Sequence, residues 1–178
     1  MINKIGCCFW ITGLSGAGKT TLSLLLKDYA TLNNYHVIYL DGDELRNLFN
    51  EAGYTVQDRI NLAKKYSNLC KYLVDQGCIV VIGVMALFSE IHQWNRKNIN
   101  NYREIFIDVP MSELFKRDPK GLYKSSLDGK KNIAGLDLQI EVPENPNLHL
   151  RWSSHTTKND MSNILNNYFL ETMREING

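Results

Sequence analysis

Apolar positions along this chain fall into short runs that alternate with stretches of helical spacing. Ile5 to Thr12 is almost continuously apolar, the pattern of a strand buried on both faces of a parallel sheet. Leu22, Leu25, Leu26 and Tyr29 then recur at helical intervals, and Asn33-Asn34 ends that helix. His36 to Leu40 reads as a second strand that runs into Asp41-Gly42-Asp43. Glu44 to Glu51 reads as a short helix closed by Gly53. Thr55 to Asp58 approximates a capping box, with Asp in place of the usual Glu, and opens a helix reaching about Gln76, where Gly77 stops it. Cys78 to Val84 is the most apolar run and is expected at the centre of a sheet. Phe88 to Asn98 is helical in pattern, Glu104 to Val109 is a fourth strand ended by Pro110, and Met111 to Lys116 is a short helix. Leu148 to Trp152 suits a fifth strand. Asp160 to Glu175 suits a last amphipathic helix, with Ile164, Leu165, Tyr168, Phe169 and Met173 on its buried face.

Strands alternating with helices predict an α/β fold, a five-stranded parallel sheet flanked by helices. Asp118 to Asn147 breaks the alternation. It holds every proline except Pro110, many charges and few periodic apolar positions. Irregular segments of such length inside a compact domain tend to be functional. A single domain over 1–178 with a mobile lid at about 118–147 is therefore expected.

Composition narrows the function classes. The chain has 178 residues, 44% of them hydrophobic and 22% charged, so an ordinary core is within reach. A formal net charge of +1 argues against a nucleic-acid partner bound through bulk charge. No run reaches the roughly 18 apolar residues of a membrane span, and Met1-Ile2-Asn3-Lys4 does not open a secretory signal. The four cysteines, Cys7, Cys8, Cys70 and Cys78, form no Cys-x-x-Cys pair and no zinc spacing. Buried free thiols and a cytoplasmic setting are expected. The four histidines share no spacing and carry no assigned chemistry, while Trp94 and Trp152 can pack in the core or cover the nucleotide, core packing being the expectation.

Between the first strand and the first helix stands Gly13-Leu14-Ser15-Gly16-Ala17-Gly18-Lys19-Thr20. Strand, glycine-rich turn, helix is the context of a phosphate-binding P-loop. Glycines let successive N–H groups point inward at a phosphate, and the helix N-terminus adds partial positive charge. Lys19 can reach the β- and γ-phosphates of ATP, Thr20 can hold Mg²⁺, and Thr21 begins the helix behind them. Asp41 and Asp43 lie at the end of the second strand, two residues apart. One can organise the Mg²⁺ shell and the other can accept a hydroxyl proton; the spacing leaves open which does which. Arg46, Arg59 and Lys64 follow on the next helices and suit an acceptor's phosphates. Tyr54 can stack on a base or cover the core. The chain lacks the Asn-Lys-x-Asp of guanine recognition. Its size and lid suit a small-molecule kinase.

These motifs together resemble adenylylsulfate (APS) kinase over about Phe9 to Trp152. The resemblance rests on Trp10 to Thr21, on Leu40-Asp41-Gly42-Asp43 with Arg46, on Gly53-Tyr54-Thr55 with Asp58-Arg59, and on the lid's Arg117 to Lys124 and Pro143-Glu144-Asn145-Pro146. It implies that Asp43 activates the acceptor 3′-hydroxyl, with Lys19 and Asp41 as further catalytic groups. It implies that Arg46 and Arg59 bind acceptor anions, that Tyr54 stacks on the acceptor base, and that Arg117 and Lys120 cover ATP. It also implies a homodimer. Departures cluster on the acceptor side. The family has Asn at Glu44 and at Leu62, Arg at Lys64, Phe-Ile-Ser-Pro-Phe-Arg at Val84 to Ser89, and an aromatic at Ile133. The acceptor site is thus expected from Arg46, Tyr54, Arg59, Lys64, Ala86, Lys131 and Ile133. Losing a stacking aromatic, an Arg and an Asn points to a smaller base and a different group on the β-position. Cytidine 5′-diphosphoramidate, the acceptor of a related kinase in capsular phosphoramidate synthesis, fits those departures. Adenylylsulfate itself is the alternative acceptor, and a non-catalytic nucleotide-binding protein is the alternative of another class.

Overall fold

In the computed structural model, residues 5–119, 121–126, 128–129 and 132–178 are described. Five parallel strands run in the spatial order β2-β3-β1-β4-β5. They are β1 (Cys7–Thr12), β2 (Val37–Asp41), β3 (Ile79–Val84), β4 (Tyr102–Asp108) and β5 (Leu148–Arg151). The helices are α1 (Lys19–Leu32), α2 (Gly42–Leu48), α3 (Val56–Asp75), α4 (Ser89–Asn98), α5 (Met111–Arg117) and α6 (Lys158–Asn177). The expected sheet and its five strands are borne out, with one correction of order. β1 holds the centre, and β3 lies between it and β2. Both strands have neighbours on two sides, so both are fully apolar, and hydropathy alone does not rank them.

Alternation along β1 divides the core. Cys7, Phe9 and Ile11 face a cluster with Leu22, Leu26, Leu165 and Phe169 of α1 and α6. Cys8 and Trp10 face the opposite cluster, with Leu62, Tyr66 and Cys70 of α3 and Ile91 of α4. Each of these faces removes enough apolar surface to hold its helices, at about 25 cal/mol per Å² buried. All four cysteines are free thiols, and burial pushes Cys7 up to about 12.

Helix ends follow local chemistry. Thr55 and Asp58 form a reciprocal capping box at the start of α3, as the sequence suggests. A second box, Thr157 with Asp160, starts α6 two residues earlier than the expected Asp160. Ile164 leaves the expected buried face of α6 and is 49% exposed, while Met161 and Thr172 join that face. α2 ends at Leu48, before Gly53. Gly53 serves another purpose: a Cβ there would lie 2.3 Å from the Asp58 carboxyl carbon, so glycine leaves room for the α3 cap.

Because α1 follows the central strand while β2 and β4 lie on opposite sides of it, the connections diverge beside β1. A crevice opens there along the C-terminal ends of the strands. Of the described residues of the 118–147 segment, Pro119, Leu122 and Asn132 line that crevice. Tyr123 and Ile133 are buried in the α1–α6 side of the core.

Candidate active site

The P-loop joins β1 to α1 at the crevice floor. Gly13 has φ of +156°, and a Cβ there would meet the Ile107 carbonyl at 2.6 Å. Gly18, at φ of +102°, caps α1 in a conformation that side-chain-bearing residues rarely adopt. The Lys19 ammonium donates to the Leu14 carbonyl at 2.8 Å, bending back across its own loop. A residue of the 118–147 segment braces the same loop: the Tyr123 hydroxyl donates to the Ser15 carbonyl at 2.8 Å. Asp118 ties the first turn of that segment by accepting from the N–H groups of Tyr123 and Lys124 at 3.1 and 2.9 Å.

Asp41, the last residue of β2, is almost fully buried. Its Oδ2 accepts from the Thr20 hydroxyl at 2.8 Å and from the Tyr39 hydroxyl at 3.1 Å. Its Oδ1 accepts from the Asp43 N–H at 2.8 Å and the Glu44 N–H at 3.4 Å, capping α2. Burial alone would raise the Asp41 carboxyl. Hydrogen bonds from Thr20, Asp43, Tyr39 and Glu44 outweigh it and hold the group below its ordinary value. Asp41 is therefore biased toward its anion, with its oxygens engaged by four hydrogen bonds. Asp43 follows one residue into α2, exposed and facing the crevice.

One cavity of about 950 Å³ joins these groups, at the upper end of small-molecule sites. Ser15 to Leu22 line one part, with Arg117 and Trp152 beyond them. The Arg117 guanidinium lies 5.3 Å from the Trp152 ring centre. Asp41, Asp43, Arg46, Tyr54, Arg59, Leu62, Tyr66 and Met85 line the same cavity, Arg46 and Arg59 lying against Tyr54 and Asp41 against Thr20 of the P-loop. Of the sequence-expected residues, the cavity therefore gathers Ser15 to Thr21, Asp41, Asp43, Arg46, Tyr54, Arg59 and Arg117. Gly13 and Leu14 shape the loop from behind.

Three expected residues are placed elsewhere. Ala86 is 1% exposed, in the core beneath α4, because the turn after β3 tucks it inward. Ile133 is also 1% exposed, packed into the core cluster on the α1–α6 side. Lys64 points to Glu90 of α4, forming an exposed ion pair at 3.0 Å. Lys120 and Lys131 lie outside the described residues.

The two arginines do more than present charge. Arg46 Nη1 donates to the carbonyls of Glu51 and Gly53 at 3.2 and 2.8 Å, and the guanidinium lies 4.7 Å from the Tyr54 ring centre. Arg59 donates to the carbonyls of Tyr54, at 3.1 Å, and Asn132, at 3.0 Å, and lies 5.6 Å from the same ring. Burial first, and then the neighbouring Arg46, lower the Arg59 pKa. Tyr54 thus sits among two cations, 54% exposed to the cavity. Tyr66 donates its hydroxyl to the Gly42 carbonyl at 2.8 Å, and with Leu62 and Met85 it makes this part of the floor apolar.

Sequence reasoning passed over Tyr39 and Tyr66 as site residues and favoured the core over the nucleotide site for Trp152, which lines the cavity. Tyr39 was visible in principle: two residues before Asp41 on a strand, it shares the carboxylate's face. Tyr66 lies four residues after Leu62, on one side of α3. Trp152 offered no local signal, since only the fold brings it beside Arg117.

Comparison with known proteins agrees with this architecture. Residues 5–151 match the family described as adenylylsulphate kinase. The cytidine diphosphoramidate kinase of Campylobacter jejuni is 43% identical over 136 residues, covering 76% of this chain and 80% of that protein. The adenylyl-sulfate kinase of Pseudomonas aeruginosa is 38% identical over 143 residues, covering 78% and 73% respectively. Among solved structures, the Mycobacterium tuberculosis APS kinase in complex with AMPPNP and APS superposes with a TM-score of 0.82 at 26% identity, covering 95% of this chain and 98% of its own. The chain belongs to the adenylylsulphate kinase family.

Proposed function

Within this family, we propose that the chain is an ATP-dependent kinase for the 3′-hydroxyl of a nucleotide 5′-diphosphate analogue, with cytidine 5′-diphosphoramidate as its acceptor. The observation that carries the reading is one cavity lined both by the P-loop and by Arg46, Tyr54 and Arg59, with Asp43 in the same lining; we take Asp43 to stand between the two. The P-loop part suits the phosphates of ATP. The other part offers an aromatic face at Tyr54, cations at Arg46 and Arg59, and an apolar floor of Leu62 and Met85. Such a floor supplies no polar partner for a third sulfate oxygen and discriminates less against a terminal group of equal charge in which an NH₂ replaces one oxygen. The similarity to the C. jejuni cytidine diphosphoramidate kinase supports the same choice.

Asp43 takes the proton of the acceptor 3′-hydroxyl as its oxygen forms a bond to the γ-phosphorus. The bond from that phosphorus to the β,γ-bridging oxygen breaks, and ADP leaves with the bonding electrons. Lys19 leaves the Leu14 carbonyl for the phosphates and balances charge on the transferred group. Asp41 holds α2 so that Asp43 stands at the junction. The residues present fit Mg²⁺: Thr20 donates its proton to Asp41, which turns its oxygen lone pairs away from that bond, and the donors are hard oxygens. Thr20 would hold the ion with Asp41 behind it, and bound Mg²⁺ would neutralise phosphate charge. The 118–147 segment serves as the lid of one kinase domain, excluding water through Tyr123 and Asn132. By family analogy the enzyme is a homodimer, and we infer action in the cytoplasm, where ATP is available. Among the described residues, no helix is long and apolar enough to cross a membrane.

A coupled ADP-release assay with both acceptors tests the assignment. A higher kcat/KM for cytidine 5′-diphosphoramidate than for adenylylsulfate is expected. The reverse ratio makes the chain an adenylylsulfate kinase, the reading favoured by the P. aeruginosa relative.

A further inference from the structure

The turn between β3 and α4 is gripped from two sides by groups that phosphoryl transfer leaves unused. Inside the protein lies Glu104, completely buried. Its carboxylate accepts from the Tyr102 hydroxyl at 3.0 Å and from the Arg96 guanidinium. Nδ1 of the buried His92 lies 3.4 Å from Glu104 Oε1. Nε2 of the same ring lies 2.6 Å from the Ala86 carbonyl. A carbonyl only accepts, so Nε2 carries the proton and donates. The ring holds the turn, and its other nitrogen faces the buried carboxylate.

Outside, Glu141 of the lid's return limb makes two bonds to that turn. Its N–H donates to the Leu87 carbonyl at 2.9 Å. Its carboxylate accepts from the Ser89 N–H at 2.6 Å. α4 has no cap from its own N-cap side chain, Phe88. Glu141 supplies it from 52 residues away, where negative charge is favoured. The same network binds the return limb twice more: Arg96 donates to the Asn145 carbonyl at 2.9 Å, and the Glu104 N–H donates to Asn147 Oδ1 at 2.8 Å. Ala86, Leu87 and Phe88 of the gripped turn are buried, and Met85 faces the cavity beside Leu62 and Tyr66.

We propose that Glu141 and His92 are positioning residues for the acceptor, acting through the turn that carries Met85. Glu141 fastens the return limb of the lid to the wall of the acceptor pocket, so lid seating and pocket shape are set together. Calling that wall the acceptor's rests on the function proposed above.

Glu141 is exposed, so its replacement leaves the core intact, whereas changes at His92 disturb it. Glu141→Ala removes the cap, and Glu141→Gln keeps an oxygen that still accepts from Ser89. Steady-state kinetics of the two variants provide the test. Glu141→Ala is expected to raise the acceptor KM about tenfold, the scale of one lost charge-assisted hydrogen bond, with the ATP KM unchanged within about twofold. Glu141→Gln should recover most of the loss. Equal rises in both KM values, or no rise in the acceptor KM, overturn the proposal. Should the wild type turn over neither acceptor, the function proposed above is what fails. Amide hydrogen exchange then decides the positioning claim. Faster exchange at Ser89 and across 139–142 in Glu141→Ala, restored in Glu141→Gln, supports it, and unchanged exchange overturns it.

Discussion

The P-loop end of the cavity, proposed for ATP, and the Tyr54 end, proposed for the acceptor, are built from different materials. The P-loop end is mainly backbone, its shape set by Gly13 and Gly18 and braced by Tyr123. The acceptor end is mainly side chains, with Tyr54 held between Arg46 and Arg59 above an apolar floor. A backbone cradle recognises any polyphosphate and changes little without losing its function. A side-chain pocket is respecified by a few substitutions. The division explains how one family can keep its phosphoryl donor and change what receives the phosphate.

Lys19→Ala probes the first material most severely. Removing the one cation of the loop should lower kcat/KM for ATP by about 10²- to 10³-fold, as for other preorganised charge stabilisers. Initial rates across ATP concentration measure it, and a change under tenfold would mean that backbone dipoles alone carry the donor. Tyr54→Ala probes the second material. Loss of a stacking face is worth about 1–3 kcal/mol in nucleic-acid sites, so the acceptor KM should rise tenfold or more with the ATP KM unchanged. A parallel rise in both would erase the distinction between the ends.

A smaller effect spans the two. Burial, and then the Asp41 carboxylate, raise the Tyr39 hydroxyl beside the ATP end. Burial likewise raises Tyr66 beneath the acceptor end, Arg46 opposing and Asp43 assisting. The folded state holds both protons more tightly than the unfolded chain, in which tyrosine titrates near pH 10. Their contribution is complete below about pH 10 and is lost as pH rises further, because only the unfolded chain gives up the protons readily. Thermal melts from about pH 9 to about pH 11 should show Tm falling, with a shallower fall in Tyr66→Phe. Least affected is Lys64→Ala. The side chain is exposed, paired with Glu90 and absent from the cavity lining, and such pairs contribute about 0–1 kcal/mol. Acceptor kinetics within about twofold of wild type are expected, and a larger loss would return Lys64 to the acceptor site.

What could be read from sequence follows the same division. Five strands, their flanking helices and the P-loop were legible because hydropathy period and glycine placement are local. Even the α3 cap was visible in Thr55 and Asp58. Strand order was not, since β1 and β3 are equally buried whichever is central. Ala86 and Ile133 illustrate a second limit. Correspondence to a motif gives a chain position, but the local turn decides whether the side chain faces ligand or core, and both face the core. Trp152 and the Glu104–His92 pair act through partners far along the chain or on neighbouring elements, which no window of sequence displays.

The central claim is that Asp43 stands where two separately built ends meet and acts on the reaction rather than on binding. Asp43→Asn keeps the shape and removes the base. Calorimetric affinities for ATP and for the acceptor, measured beside kcat, test that claim most directly. Both affinities should stay within about twofold of wild type while kcat falls by about 10²- to 10⁴-fold, the usual worth of a general base. Normal turnover in Asp43→Asn, or a loss of ATP affinity matching the loss of rate, would contradict it.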